Sequence, residues 1–548
     1  MERTEQKLKK GMKADHNMVY PDFEQMWSSI EQDELKITEG ETIEKRPRRR
    51  KKFALVAGLA VALMATPVYA ALNYDWSNIL SYRAGIQSAL AQGLGQTIEQ
   101  SITKDGFTLT VHTAFIDDNR TFLLYSLKPD ATWDGNNIRF DQIGFENFEG
   151  DLIKGNYVHQ WNEDLGLFQG YFETDWVAED QLSDINFSIK NIYAIGDEEQ
   201  SISYNPNDFN TQHFAIQKDG IDNVTLQIFE QPEGKVMLHS AVTFTDSNMK
   251  DKWVRIKAVN DKNQPIQDVG TPVFGTPGAT GEYFSQQIFS SESLRAKGTQ
   301  FNLIYEHTLS ITENTWSIDM NLSKEKLKKG SFKKVVNIPL ENAPDGTVIH
   351  EMKVTPTQVR LILKHKEKYA HIPYKDYQLN IGGVPLDGGR WDEENDPYKT
   401  ELRFELTGVD VSSLVDKTMT LVAKHRVDIV DGDLQPIRLT DITEKPQSKT
   451  SMVGEYPITW TYYMKDNNLY IESFSSDPTF GGVTQTYYLD HKDRNYGMPI
   501  FAGILGDNNN KRMDEYKNFK EKELDIYIYN YTTQQPDEEL RIPLIKGE

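Results

Sequence analysis

The sequence predicts a mainly β exported protein, with a single N-terminal transmembrane helix followed by several tandem β-sandwich domains. Three observations carry this. Residues 53–72 are twenty uncharged residues directly after the run Arg46-Pro47-Arg48-Arg49-Arg50-Lys51-Lys52. Short runs of alternating apolar and polar residues recur from residue 107 to the C-terminus. Turn-forming clusters separate those runs.

At 1.5 Å per residue, twenty helical residues span roughly 30 Å, the thickness of a bilayer's hydrocarbon core. Lys/Arg beside its N-terminal end stay on the cytoplasmic side. Residues 1–52 are then inside, 53–72 contact the lipid bilayer, and 73–548 are extracytoplasmic. A cleavable signal peptide is the rival reading, because Val68 and Ala70 supply small residues before a cleavage point at Ala71. The 52 residues ahead of the apolar run exceed an ordinary signal peptide, which totals about 15–30 residues.

Inside, Phe23, Met26, Trp27 and Ile30 fall at i, i+3, i+4 and i+7, one face of a helix. Pro21 suits the first helical position, and Asp22 and Glu24 sit where the helix dipole favours acids. So short a helix is marginal alone, and its apolar stripe suits folding onto a partner. From Pro21 to Glu44 there are eight acidic residues and one basic residue, Lys36. That charge suits a basic partner and opposes docking on the negative inner membrane face. The rival reading is a frayed tail.

Outside, the strand signal is period-2 alternation with β-branched and aromatic residues. It appears in Phe107-Thr108-Leu109-Thr110-Val111, Phe122–Leu127, Val224–Ile228, Trp253–Val259, Val359–Leu363 and Leu524–Tyr529. Lys104-Asp105-Gly106, Asp117-Asp118-Asn119, Lys218-Asp219-Gly220, Asp345-Gly346 and Gly382-Gly383 are turn chemistry. Many short strands with frequent turns read as β-sandwiches. Two echoes support repeated units: the Lys-Asp-Gly pair, and Val335–Leu340 with Arg541–Leu544. The units are placed at 73–207, 208–343, 344–447 and 448–548. Between anchor and first strand, Trp76, Ile79, Leu80, Ile86 and Leu90 predict one apolar helix face, loosened by Gly85, Gly93 and Gly95.

The segment Ala89-Leu90-Ala91-Gln92-Gly93-Leu94-Gly95-Gln96, then Ser101–Val111, Asp117-Asp118-Asn119-Arg120-Thr121 and Leu123–Leu127, resembles bacterial membrane proteins of the domain of unknown function 4179 family. The resemblance is strong over 74–200 and looser over the next 130 residues, where an immunoglobulin-like domain often follows. It implies tandem immunoglobulin-like sandwiches in a Gram-positive, anti-sigma-factor-like regulator. The implied partner is an extracytoplasmic-function sigma factor, bound through residues 21–37. It implies no catalytic residues.

The charge balance excludes other classes. The chain's 60 Lys+Arg and 82 Asp+Glu, less the 13 and 11 of residues 1–52, leave 47 and 71 beyond, a net of −24. Such a surface repels nucleic acid. With no cysteine there is no disulfide, thiolate catalysis or Cys-ligated metal. No hydrolase elbow, phosphate loop or dinucleotide fingerprint appears. His350-Glu351 begins a zinc motif, but Val354 replaces its second histidine. His365 and His371 lie in a Lys-rich stretch, and Asp392, Glu393, Glu394 and Asp396 follow Trp391. Such carboxylates serve a glycosidase only as a pair flanking a cleft, and adjacent ones usually form a solvated turn. Asp117, Asp118 and Asn119 carry calcium-type oxygens, a chemistry that more often just closes a turn. The expectation is no enzyme, no cofactor and no metal. The alternative to a regulator is an anchored binding or adhesion protein, which has no use for the Phe23/Met26/Trp27/Ile30 face.

Overall fold

A computed structural model describes residues 74–545, except 131–132, 134–136, 147–149, 178–181, 232–233, 246–253, 271, 278–281, 342, 344–345, 394–395, 408–413, 415–416, 433–434, 466 and 503–509. Phe23, Met26, Trp27, Ile30 and the apolar run 53–72 lie outside the described residues. Among the described residues, no helix is long and apolar enough to cross a membrane.

The described chain is mainly β, in five sheets. The first unit holds β1 (Gln96–Lys104), β2 (Phe107–Ile116), β3 (Thr121–Pro129), β4 (Asn137–Glu146), β5 (Leu152–Ile153), β6 (Asn156–Asn162), β7 (Leu167–Thr174) and β8 (Leu182–Ile202). The second holds β9 (Gln212–Lys218), β10 (Ile221–Gln231), β11 (Lys235–Phe244), β12 (Arg255–Val259), β13 (Val273–Pro277), β14 (Tyr283–Ser290) and β15 (Gln300–Ser323). The third holds β16 (Phe332–Pro339), β17 (Val348–Val354), β18 (Gln358–Lys364), β19 (Tyr374–Ile381), β20 (Val384–Asp392), β21 (Lys399–Glu405) and β22 (Met419–Asp431). The fourth holds β23 (Ile437–Leu439), β24 (Gln447–Val453), β25 (Tyr456–Lys465), β26 (Asn468–Phe474), β27 (Phe480–Asp490), β28 (Asp493–Tyr496), β29 (Met498–Ala502), β30 (Lys511–Tyr516) and β31 (Leu524–Ile545).

One topology recurs in all four sandwich-like units. Three strands form a meander, a fourth crosses to the facing sheet, a hairpin returns beside the third, and a last strand joins the fourth. The sheet orders β1-β2-β3-β7-β6, β9-β10-β11-β14-β13 and β24-β25-β26-β30-β29 correspond strand for strand. The third unit differs because β19 also pairs β20, so its two layers are one continuous sheet.

The Lys-Asp-Gly echo marks equivalent places, the first hairpin of the first and of the second unit. Asp105 and Gly106 have φ of 41° and 79°, and Asp219 and Gly220 have 51° and 79°. Two consecutive positive φ values define the hairpin turn whose twist matches paired strands, and Asp-Gly adopts it readily. The other echo is not structural: Val335–Ile338 lie on a first strand, whereas Arg541–Leu544 end a last one.

The last strands tie units into pairs. β8 and β15 pair along almost their whole length. Phe187, Ile189, Trp316 and Ile318 on these strands enter the first unit's core. Ile202, Phe301, Leu303 and Tyr305 on the same strands enter the second's. β22 and β31 join the third and fourth units likewise: Leu421, Ile542 and Leu544 serve one core, Ile526, Ile528 and Tyr531 the other.

The lead-in residues are buried as their apolar character predicts, but not as one helix face: Trp76, Ile79 and Leu80 lie ahead of the helix, and only Ile86 and the partly buried Leu90 are on it. Trp76, Ile79, Leu80 and Ile86 are buried with Phe115, Phe122, Leu124 and Tyr171 of the first unit. The helix, α1, covers only Ala84–Ala91, and the residues before it are turns.

Candidate functional site

The first and third units meet across two turns. In the first, Asp117 Oδ1 accepts from the Asn119 and Arg120 amides at 2.8 and 3.0 Å, which closes the β2–β3 hairpin. In the second, the Thr355 hydroxyl receives the Gln358 amide at 3.1 Å and donates to the Gln358 carbonyl at 2.9 Å, around Pro356. Thr357 Oγ1 donates to Asp117 Oδ2 at 2.6 Å, and Asn119 donates to the Gln358 carbonyl at 3.1 Å. Both Asp117 oxygens are thus committed, so these residues work as a turn.

Arg120 lies at the centre and is 1% exposed. Its Nη1 donates to Glu173 at 2.8 Å and to Glu405 Oε1 at 2.7 Å, and its Nη2 donates to Glu405 Oε2 at 2.9 Å. Its Nε donates to the Thr357 hydroxyl at 3.2 Å. The planar fork suits such two-pronged binding of a carboxylate. Burial works against the charge on Arg120, but Glu405 and Glu173 outweigh it and raise its pKa further above the ordinary value. Burial also opposes ionised Glu173, yet Arg120 and Arg83 hold its carboxyl below the usual range.

Glu405 has a second role. The amide of Gly85 donates to its Oε2 at 3.0 Å. Helix α1 has no side-chain cap from its own sequence and no acid in its first turn. A carboxylate on unpaired N-terminal amides stabilises a helix end, and here the third unit supplies it. Gly85 is required at this contact, because a Cβ there would lie 1.8 Å from the Thr357 carbonyl oxygen.

Beside this junction runs a cleft of about 1290 Å³. Arg360 and Arg403 both pair with Asp175 and with Glu401, joining the two units across it. Burial disfavours the Asp175 charge, but Arg360 and Arg403 hold its carboxyl low.

Several residues singled out in the sequence reach the cleft. Asp392, Glu393, Trp391, His350 and Glu351 line it. They are held by neighbours: Asp392 pairs Arg390 at 3.0 Å, Glu351 pairs Lys333 at 2.7 Å, and His350 bonds Asn337 at 2.7 Å. Asp396 pairs Lys399 at 2.7 Å in the turn after β20. Glu394 lies outside the described residues. His365 and His371 donate to the Glu367 and Val427 carbonyls, both at 2.7 Å. Among the described residues, no three His, Asp or Glu side chains are arranged to hold a metal ion. The sequence reading missed Glu173, Thr357 and Glu405. Arg120 reads from the sequence only as part of a turn, and nothing local announces its burial.

No curated protein matches the chain. Among solved structures, "The crystal structure of the conserved domain protein from Bacillus anthracis" aligns over 57% of this chain and 90% of its own. The identity is 10% and the TM-score 0.16, too low to imply a shared fold. Residues 45–129, from the basic run to the end of β3, match the family described as Domain of unknown function (DUF4179). The chain carries a domain of this family over those residues, at its N-terminal end.

Proposed function

We propose that the protein is a single-pass membrane signalling regulator of anti-sigma-factor-like type. Residues 1–52 lie in the cytoplasm, 53–72 cross the bilayer, and the immunoglobulin-like sandwiches stand outside. The face of Phe23, Met26, Trp27 and Ile30 sequesters an extracytoplasmic-function sigma factor. The outer units act as the sensor.

The observation that carries this reading is the double grip of Glu405, on Arg120 and on the first turn of α1. Helix α1 begins twelve residues after the apolar run. A change in how the third unit docks on the first therefore removes a cap from the helix that follows the apolar run in sequence. That gives an outer event a mechanical route to the anchor. An anchored adhesion protein has no need for such a link.

The experiment is a pull-down with the full chain as bait and transcript profiling in a Trp27→Ala strain. The reading expects a sigma factor in the wild-type eluate, its loss with Trp27→Ala, and raised transcription of its targets. Truncating a buried aromatic anchor costs about 2 kcal/mol or more. An eluate without a sigma factor, together with an unchanged transcriptome, would replace the regulator by the adhesion reading.

A further inference from the structure

We propose that the cleft between the first and third units binds a pyranose oligosaccharide, seated on Trp391. This deepens the sensor reading above by giving its stimulus a chemical class.

Trp391 lines the cleft and keeps 44% of its surface exposed. A partly open indole in a recess with polar walls is apolar surface that a ligand can cover. The ring also has close neighbours on its own sheet. Gly389, two residues earlier on the same face of β20, lacks the Cβ that would meet the indole at 2.8 Å. Arg403, the cross-strand partner of Gly389, places its guanidinium carbon 5.4 Å from the indole centre. Tyr82, 86% exposed, lines the same cleft from the segment leading into α1. The cleft thus offers an aromatic ring from each unit.

The charges of the cleft discriminate among ligands. Seven Lys/Arg and nine Asp/Glu line it. Its main charges are paired with one another: Arg360 with Asp175 at 2.7 Å, Arg403 with Glu401 at 2.8 Å. A nearly balanced, internally paired set attracts neither a polyanion nor a cation strongly. It presents fixed donors and acceptors instead. A pyranose matches both features, with an apolar C–H face for the ring and hydroxyls for the polar walls. The volume exceeds the roughly 300–1,000 Å³ typical of small-ligand pockets, so several linked sugar rings fit. A sugar spanning Tyr82 and Trp391 would tie the third unit to the segment before α1, the same connection that Glu405 makes.

The test uses the full chain in a detergent without a sugar headgroup. It is titrated calorimetrically with glucose and N-acetylglucosamine oligomers of increasing length, and with polyphosphate. The expectation is saturable binding of at least one oligosaccharide, tightening with length. Trp391→Ala should weaken it about tenfold or more, and Trp391→Phe less. Tyr496→Ala, on an exposed face of the fourth unit, should leave it unchanged. Thermal unfolding of each variant confirms that it is folded. Absence of oligosaccharide binding at millimolar concentration, equal binding by Trp391→Ala, or preferential binding of polyphosphate would overturn the proposal. Failure here with a sigma factor still retained by the bait removes the sugar and spares the regulator. Sugar binding with no sigma factor retained does the reverse.

Discussion

Replacing Arg120 with alanine should undock the third unit from the first while leaving both folded. The side chain makes three charge-assisted bonds, two to Glu405 and one to Glu173, and is 1% exposed. Removing one partner of a buried ion pair costs about 3–5 kcal/mol, because a charge is left without compensation. Here the remaining carboxylates are not wholly orphaned. Glu173 keeps Arg83, and Glu405 keeps the Gly85 amide and Gln358, with 21% of its side chain exposed. The lower end applies, about 3 kcal/mol, or roughly a 150-fold rise in the open population. Arg120→Lys should rescue little, since an ammonium cannot grip both carboxylates with a planar fork. Amide hydrogen exchange read by mass spectrometry is the assay. Peptides covering α1 (Ala84–Ala91) and the Thr355–Gln358 turn should exchange on the order of 100-fold faster, while those of β25 and β26 stay as in the wild type. Unchanged exchange at α1 would refute the capping role of Glu405, and uniform acceleration across the chain would show that Arg120 supports folding rather than docking.

Three further substitutions probe other links. Gly85→Ala should strengthen α1 taken alone by about 1 kcal/mol yet weaken docking by about 1–3 kcal/mol, because its Cβ meets the Thr357 carbonyl; faster exchange at Thr355–Gln358, with α1 accelerated less than in Arg120→Ala, checks this. Burial holds the buried His239 of β11 down to about 4 from an ordinary 6.5. The unfolded chain therefore binds that proton first, and stability whole above about 6.5 is lost on acidification toward 4, by about 3 kcal/mol. His239→Phe should flatten that part of the pH profile in calorimetry, and a persisting slope would assign it elsewhere. Trp316 is fully buried on β15 and donates to the Phe107 carbonyl at 3.1 Å. Its replacement by alanine should cost about 3–5 kcal/mol. Because β15 serves two cores, the first and second units should melt together at lower temperature, ahead of the third and fourth; separate melting of the first unit alone would contradict the shared-strand coupling.

Local chemistry made part of this protein legible. Phe107–Val111, Val224–Ile228, Val359–Leu363 and Leu524–Tyr529 all lie on strands, because alternation reports directly which side of a pleat is buried. The Asp105-Gly106 and Asp219-Gly220 turns were readable for the same local reason: few residue pairs accept two positive φ values in succession. Trp76, Leu80 and Ile86 are buried as apolar residues, but only Ile86 is on a helix, so the helical spacing that links them in the sequence is not how they are buried. In the cleft, Asp392 and Glu393 are legible in the sequence only as part of a carboxylate run after Trp391.

What the tertiary structure decided is pairing across long sequence separations. The long pairing of β8 with β15, and of β22 with β31, joins residues about 100 to 140 apart in sequence, and alternation carries no record of which strand lies alongside. Arg120 and Glu405 are 285 residues apart, and Gly85 and Glu405 320. By itself an arginine in a polar turn reads as solvated, and a glycine in a helix reads as a weakness. Only packing of the third unit on the first buries the one and makes the other necessary, because burial and close approach belong to the pair of surfaces and not to either segment.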